Sequence, residues 1–227
     1  MKKNLRFILL VGFLTSMTAG YQNCGKVAFT STPTQNNGTN TPAGIGGGGG
    51  DTGGGTTPQP CVQSSSNTPI VTTLPAGVTQ AMVAATCPAV GQDSECGVVI
   101  IVADSGVSLY FTGQGPYDGH DDTLVGVINN SSNPVTSLTV SSNLDIMGFD
   151  GDGLDTYDIS GTKTKVGGNS MDTSLYGGPN AYYTNITPDN TGGNVYFISP
   201  VPAGKTTFFG LENALSSTTA CLNTSAH

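Results

Sequence analysis

The sequence predicts an all-β sandwich for residues 61–227, and three observations support that class. Short apolar and β-branched runs recur along the segment, each bounded by Gly, Pro, Asn, Asp or Ser. Stretches with the apolar spacing of a helix are few and short, so strands joined by helical crossovers are not expected. Four cysteines in the segment are typical of an exported domain held by disulfides. Several short strands of this kind form sandwiches or barrels.

Each predicted strand is a run rich in β-branched, aromatic or aliphatic residues that ends at a turn-forming cluster. In chain order the strands are Ile70–Leu74, Val98–Val102, Val107–Phe111, Thr123–Asn129, Val135–Val140, Ala181–Ile186, Asn194–Ile198 and Thr206–Leu211. The run Ala103-Asp-Ser-Gly106 predicts a hairpin turn between the second and third of them. Helical turns are predicted only at Val78–Ala85 and Glu212–Ser216.

Residues 1–23 predict a secretory signal peptide. Lys2, Lys3 and Arg6 supply the positive start, Phe7–Leu14 the short apolar run, and Thr15–Gly20 the small residues that follow. The apolar run is far shorter than the roughly 20 residues of a membrane-spanning helix. The chain is therefore expected to be exported.

Cys24 follows this leader and resembles the cysteine of bacterial lipoprotein signals, which becomes the first mature residue and carries lipid. Ordinary cleavage, for example after Gly20, is the alternative. Residues 24–60 are predicted to form a lipid-bearing flexible linker, because 29 of the 36 residues after Cys24 are Gly, Thr, Pro, Asn, Ser or Gln. Such a tether reaches roughly 30 Å. The predicted location is the cell envelope, at the outer membrane or cell surface, with the membrane as a partner through the lipid.

The charge is distributed unevenly along the chain. The net charge of the 227 residues is −8, but residues 61–227 carry three lysines, no arginine and 14 acidic residues, a net charge of −11. Nucleic-acid-binding domains need a basic patch to meet the phosphates. The sequence therefore excludes nucleic acid as a partner.

The cysteines beyond the proposed lipid site form an even set. Cys61, Cys87, Cys96 and Cys221 allow three disulfide connectivities. The pairing Cys87–Cys96 is favoured because it closes a short loop, and Cys61–Cys221 because it ties the start of the domain to its end. A zinc site is the competing interpretation, but the spacings lack a Cys-x-x-Cys pair.

Two glycine-rich turns concentrate the acidic residues. Carboxylates separated by glycines suit calcium, because oxygen ligands converge where the backbone turns sharply. Asp150, Asp152 and Asp158 match the first, third and ninth positions of an EF-hand loop, whereas Gly161 stands in place of the closing glutamate. Plain turn formation is the alternative. The predicted calcium ligands are Asp118, Asp122, Asp150, Asp152, Asp155 and Asp158.

Tyrosines lie in or beside the same loops. Loop tyrosines flanked by Gly and Asn are typical of binding surfaces, so Tyr117, Tyr157, Tyr182 and Tyr183 are predicted to contact a ligand. Burial in the core is the alternative.

Three longer motifs resemble known bacterial domains. The turn Asn129-Asn-Ser-Ser132 with the later Pro202-Ala-Gly-Lys-Thr206 resembles immunoglobulin-like stalk domains of secreted bacterial proteins. The runs Pro116-Tyr-Asp-Gly-His-Asp-Asp-Thr-Leu-Val-Gly126 and Gly148-Phe-Asp-Gly-Asp-Gly-Leu154 resemble a domain of secreted and surface-attached bacterial proteins without an established activity. The resemblance implies an immunoglobulin-like β-sandwich and export.

Together these features predict a non-enzymatic lipoprotein that acts as a surface binding, adhesion or structural module, with a protein or glycan ligand. No cofactor is expected other than calcium. The chain has no Gly-x-Ser-x-Gly motif, and His120 is the only plausible internal base for a nucleophile. The alternative is a secreted carbohydrate-active or calcium-dependent enzyme.

Overall fold

The computed structural model describes residues 67–227, and most of their regular structure is β-strand. The predicted signal peptide, Cys24, the linker and Cys61 lie outside the described residues. The strands are β1 Val98–Ala103, β2 Gly106–Phe111, β3 Thr123–Asn130, β4 Val135–Ser141, β5 Asp158–Ile159, β6 Thr164–Lys165, β7 Ala181–Thr184, β8 Gly192–Val201, β9 Thr206–Leu211 and β10 Asn223–Ala226. One helix, α1 Gln80–Thr86, and a 3₁₀ turn, Leu154–Thr156, complete the described elements. The all-β prediction is confirmed.

Seven of the eight predicted strands form, and the structure adds β5, β6 and β10, which the sequence does not predict. The segment Ile70–Leu74 makes a single bridge, from Ile70 to Leu109. Strand β10 was not predicted because Asn-Thr-Ser-Ala lacks an apolar pattern, and its backbone pairing with β4 defines it. Residues Glu212–Ser216 form no helix.

The strands make two four-stranded sheets and a short ribbon. Sheet I has the order β2-β1-β3-β9, sheet II has the order β10-β4-β8-β7, and β5 pairs with β6. Neighbouring strands are antiparallel except for β1 and β3, which run parallel. The predicted hairpin forms, with Ala103 opposite Gly106. The sandwich is confirmed, while the closer resemblance to immunoglobulin-like stalk domains stays a prediction.

The inner strands of sheet I are buried on both faces. Successive residues of a strand point to opposite faces, so Val98 and Ile100 of β1 face the core shared with sheet II, while Val99 and Ile101 face a second core. Helix α1 and the loops that carry Val90, Tyr117 and Leu154 cover this second core. Both inner strands are therefore buried along almost their whole length, and β1 and the centre of β3 are apolar.

Helix α1 and the adjacent disulfide cover sheet I. Thr79 caps the helix by accepting a hydrogen bond from the Met82 backbone N–H at 3.2 Å. Cys87, directly after the helix, is bonded to Cys96, with Cα atoms 5.2 Å apart, as predicted. Cys221 is disulfide-bonded as well, and Cys61, its predicted partner, lies outside the described residues.

Within residues 67–227, no helix has the length and apolar character to cross a membrane.

Candidate cation site

An acidic site lies at the end of sheet I where β3 begins and β9 ends. The register of these antiparallel strands places Thr123 opposite Leu211. The residue before Thr123 and the residue after Leu211 therefore meet, and these are Asp122 and Glu212. Only 1% of the Asp122 surface and 8% of the Glu212 surface are exposed.

Two further carboxylates reach this point from the loop that follows β4. The backbone N–H of Asp150 donates to Glu212 Oε1 at 3.2 Å, and Asp150 Oδ1 accepts from the Asp152 backbone N–H at 3.2 Å. Asp150 and Asp152 are exposed, in contrast to Asp122 and Glu212. The site thus has a buried base and an exposed rim.

The hydroxyl of Tyr176 lies among all four carboxylates. Its Oη is 2.5 Å from Glu212 Oε1, and Asp152 Oδ1, Asp122 Oδ1 and Asp150 Oδ1 follow at 3.0, 3.2 and 3.3 Å. A phenol has one proton, so it donates to one of these oxygens at a time. The other contacts place oxygen beside oxygen, which is unfavourable unless a proton or a cation lies between them.

Glycines and an aromatic neighbour hold the Tyr176 ring in place. A Cβ atom at Gly153 would lie 2.3 Å from the ring, so a larger residue cannot occupy that position without moving it. The Gly210 backbone N–H donates to the Tyr176 carbonyl at 2.7 Å, and the Phe149 ring packs at a centroid distance of 4.6 Å. Tyr176 is fully buried, and its hydroxyl position is fixed by this packing.

The electrostatics of the site favour uptake of positive charge. Burial, followed by the nearby charge of Glu212, raises the pKa of Asp122 to about 7. Burial also raises the pKa of Glu212. A hydrogen bond between Asp150 and Asp152 lowers the pKa of Asp150 and raises that of Asp152. Without an ion, the folded protein therefore binds protons here.

Two buried polar atoms, one of Asp122 and one of Tyr117, have no hydrogen-bond partner. One is Asp122 Oδ2, and the other is the hydroxyl oxygen of Tyr117, whose side chain is fully buried. Burial and the charge of Asp122 raise the pKa of Tyr117, so its hydroxyl stays protonated. Buried polar atoms are nearly always paired, and an unpaired carboxylate oxygen is costly.

The carboxylates fall into two groups with the spacing of metal ligands. One group is Asp150, Asp152 and Glu212, and the other is Asp121, Asp122 and Glu212. Within each group the ligand atoms lie within 4.8 Å of one another. Calcium binds carboxylate oxygens at about 2.3–2.6 Å, so oxygens around one ion are up to about 5 Å apart. We call these five residues together with Tyr176 the acidic centre.

The structure brings three of the six predicted calcium ligands to the acidic centre, namely Asp122, Asp150 and Asp152. Asp118 lies beside it and instead shapes its own turn, because its Oδ1 accepts the backbone N–H groups of three following residues at 3.0–3.1 Å. Neither Asp155 nor Asp158 belongs to either ligand group of the described residues. Asp155 lies in the 3₁₀ turn, where burial raises its pKa to about 6, and Asp158 lies in β5 opposite Lys165.

The predicted tyrosine surface does not form as a unit. Tyr117 is fully buried, so its prediction as a ligand-contacting residue is wrong, and the ring of Tyr157 packs edge-on against it at 5.2 Å. Tyr183 packs against the core and donates its hydroxyl to the Gly210 carbonyl. Tyr182 points to the opposite face of sheet II and stacks on Tyr196 at 5.7 Å.

Three members of the acidic centre were missed by the sequence prediction. Asp121 belongs to the predicted acidic turn but was not selected as a ligand. The sequence predicts a helical turn at Glu212, and nothing in it distinguishes Tyr176 from the other loop tyrosines. Asp121 carries the same local signal as Asp122, whereas the neighbours of Glu212 depend on the β3–β9 register.

The ion-free protein is expected to lose stability as the pH rises from about 4 to about 7. The folded state keeps a proton on Asp122 up to about pH 7, and burial also raises the pKa of Asp93 and Asp155 to about 6. The unfolded chain releases these protons near pH 4, so their stabilising contribution is complete below that pH and disappears as the pH passes through 6 and 7.

Urea unfolding in a chelating buffer from pH 4 to 7.5 measures this dependence. The variant Asp122→Asn should lose the part of the dependence near pH 7, because the amide does not titrate, and should keep the part near pH 6 that Asp93 and Asp155 contribute. A wild-type stability that increases across this range would contradict the assignment.

Comparisons of the chain with protein-family models, with curated proteins and with solved structures found no match.

Proposed function

We propose that this protein is an exported, non-enzymatic binding module of the cell envelope whose acidic centre holds Ca²⁺. The observation that carries the proposal is the Tyr176 hydroxyl within 3.3 Å of four carboxylate oxygens. Hard cations with oxygen ligands relieve such crowding, and calcium accepts six to eight oxygens in flexible geometry.

The ion would join segments that are distant in the sequence. Asp122 precedes β3, Asp150 and Asp152 lie in the loop after β4, and Glu212 follows β9. A cation between their carboxylates cross-links three loops at one end of the sandwich. Binding loops held by a rigid scaffold are a common basis of recognition, so the ion would set the shape of the ligand-binding surface.

A cleft beside the acidic centre supports a binding role. It has a volume of about 420 Å³, and its lining includes Phe149, which packs on Tyr176, together with Met171 and Ile186. Met171 is 57% exposed and Ile186 39%. Exposed apolar side chains grouped around a cleft are typical of interaction sites. A protein or glycan at the envelope surface is the proposed ligand.

A calcium titration of thermal unfolding tests the ion. At pH 7 the melting temperature should rise with calcium and level off as the site saturates, because the ion binds only the folded state. Magnesium at the same concentrations serves as the comparison, since its smaller, octahedral shell suits a crowded carboxylate site less well. An unchanged melting temperature at millimolar calcium would reject the proposal.

A carbohydrate-active enzyme is the second candidate, because the pKa of Asp122 near 7 beside the ionised Asp150 resembles the acid and base of a glycosidase. Asp122 is almost completely buried, and a polymeric substrate would have difficulty reaching it. Ion binding is therefore preferred. Hydrolysis of any polysaccharide that is lost in Asp122→Asn would favour the enzyme.

The proposed tether gives a separate prediction. Cys24→Ser should remove the label when cells are fed a radiolabelled fatty acid, and should release the protein from the membrane fraction, because the thiol that carries the lipid is gone. Asn23→Ser, one residue earlier, is the matched control and should keep the label. Label that persists in Cys24→Ser would exclude lipidation at this cysteine.

A further inference from the structure

We propose that the acidic centre binds two divalent cations, bridged by the carboxylate of Glu212; this inference rests on the proposed calcium binding and adds a second ion to it. The first ion lies among Asp150, Asp152 and Glu212. The second lies among Asp121, Asp122 and Glu212.

The two ligand groups share one residue and no other. Each supplies three carboxylates with ligand atoms within 4.8 Å, and Glu212 belongs to both. A carboxylate has two oxygens, so one side chain can serve two ions at the same time. Protein sites with two metal ions hold them about 3.5–4 Å apart in this way.

The surroundings of Asp122 are the specific reason for the second ion. It is 1% exposed, and its Oδ2 has no hydrogen-bond partner. An ion among Asp150, Asp152 and Glu212 would leave this oxygen unpaired. An ion among Asp121, Asp122 and Glu212 would bind the Asp122 carboxylate and give this buried group the partner that it lacks.

The charge of the centre agrees with two ions. Five carboxylates converge, and the strongest charges acting on Asp122 and Glu212 are those of other acids. One divalent cation offsets two of the five negative charges, and two cations offset four. Two cations therefore leave a smaller net charge on the centre than one cation does.

The turn before β3 presents the second group without rearrangement. Asp118 Oδ1 accepts the backbone N–H of Asp121 at 3.1 Å and that of Asp122 at 3.0 Å. These bonds fix both residues on the side of Glu212. Asp118 is thus a positioning residue for the second ion rather than one of its ligands.

Equilibrium dialysis of the purified protein against radioactive Ca²⁺ tests the stoichiometry. The wild type should bind two ions per chain, Asp121→Asn should bind one, and the control Asp158→Asn should keep two. Asp121 is exposed, so its amide variant should fold, which circular dichroism verifies. One ion in both the wild type and Asp121→Asn would overturn the second site and leave the proposed function standing. No bound ion would overturn both.

Mn²⁺ in place of Ca²⁺ tests the bridge by electron paramagnetic resonance. Two ions joined by one carboxylate give an exchange-coupled spectrum, which we expect for the wild type. Asp121→Asn should instead give the six-line signal of isolated Mn²⁺. Two bound ions with an uncoupled wild-type spectrum would overturn the bridging role of Glu212.

Discussion

Replacing Glu212 with glutamine is expected to abolish the stabilisation of the protein by calcium. Glu212 belongs to both ligand groups, so no cation position keeps its full set of charges. At about 100 times the dissociation constant, calcium should stabilise the wild type by about 2.7 kcal/mol, and the variant should lose nearly all of this stabilisation. Thermal unfolding with and without saturating calcium at pH 7 measures the difference.

Without calcium, the Glu212→Gln variant should show no loss of stability. Glutamine has the shape of glutamate and keeps an oxygen that accepts from Tyr176, but it removes one charge from a crowded set of acids. The ion-free variant should therefore be as stable as the wild type or more stable. Asp158→Asn removes a charge outside the acidic centre and should retain the calcium response. A Glu212→Gln protein that retains the calcium response would contradict calcium binding at the acidic centre.

Removal of the Cys87–Cys96 disulfide should cost about 3 kcal/mol of unfolding free energy. The bond closes a loop whose ends are nine positions apart, and both cysteines are buried against sheet I, where a Cβ on Gly126 would lie 2.5 Å from Cys96 Sγ. The double variant Cys87→Ala/Cys96→Ala avoids burying new hydroxyl groups. Its melting temperature should fall by roughly 6–12 °C.

Urea unfolding of this double variant gives the free energy directly. Ser94→Ala, at an exposed position of the same loop, is the control and should unfold like the wild type. Both variants are compared at a fixed calcium concentration, so that ion binding does not contribute to the difference. A double variant with the wild-type midpoint would show that the bond is energetically neutral.

The sequence predicted the strands well because their burial leaves a clear pattern. Strand β1 and the centre of β3 are apolar without alternation, since both faces of sheet I are covered. In β4 buried and exposed residues largely alternate, as expected where only one face meets a core. Strand β10 escaped prediction because hydrogen bonds to β4, rather than apolar side chains, define it.

The acidic centre was only partly predictable, because it depends on long-range register. The two acidic turns carry a local signal, glycine beside aspartate, and Asp122, Asp150 and Asp152 were selected from it. Glu212 has no such signal, and its place opposite Asp122 follows from the pairing of Thr123 with Leu211. A slip in strand register changes every neighbour while leaving the sequence pattern intact.

Tyr176 was missed for a different reason. It lies in a loop rich in Gly, Pro and Asn, where a tyrosine is ordinarily half exposed. Its burial depends on Gly153, in a loop before it in the sequence, and on Gly210, in strand β9 after it, which both come close to its ring. Sequence reasoning has no means of pairing a loop tyrosine with glycines so far along the chain.

The pairing of β3 with β9 also has a kinetic consequence. Thr123 and Leu211 are 88 positions apart, so the chain must close a long loop before Asp122 meets Glu212. Closure of such long-range contacts is a slow step of folding. The acidic centre is complete only after that step, so an ion held there acts on the folded state and slows unfolding without accelerating folding. For the proposed exported protein, the ion would then lengthen the lifetime of each folded molecule more than it would help new molecules to fold.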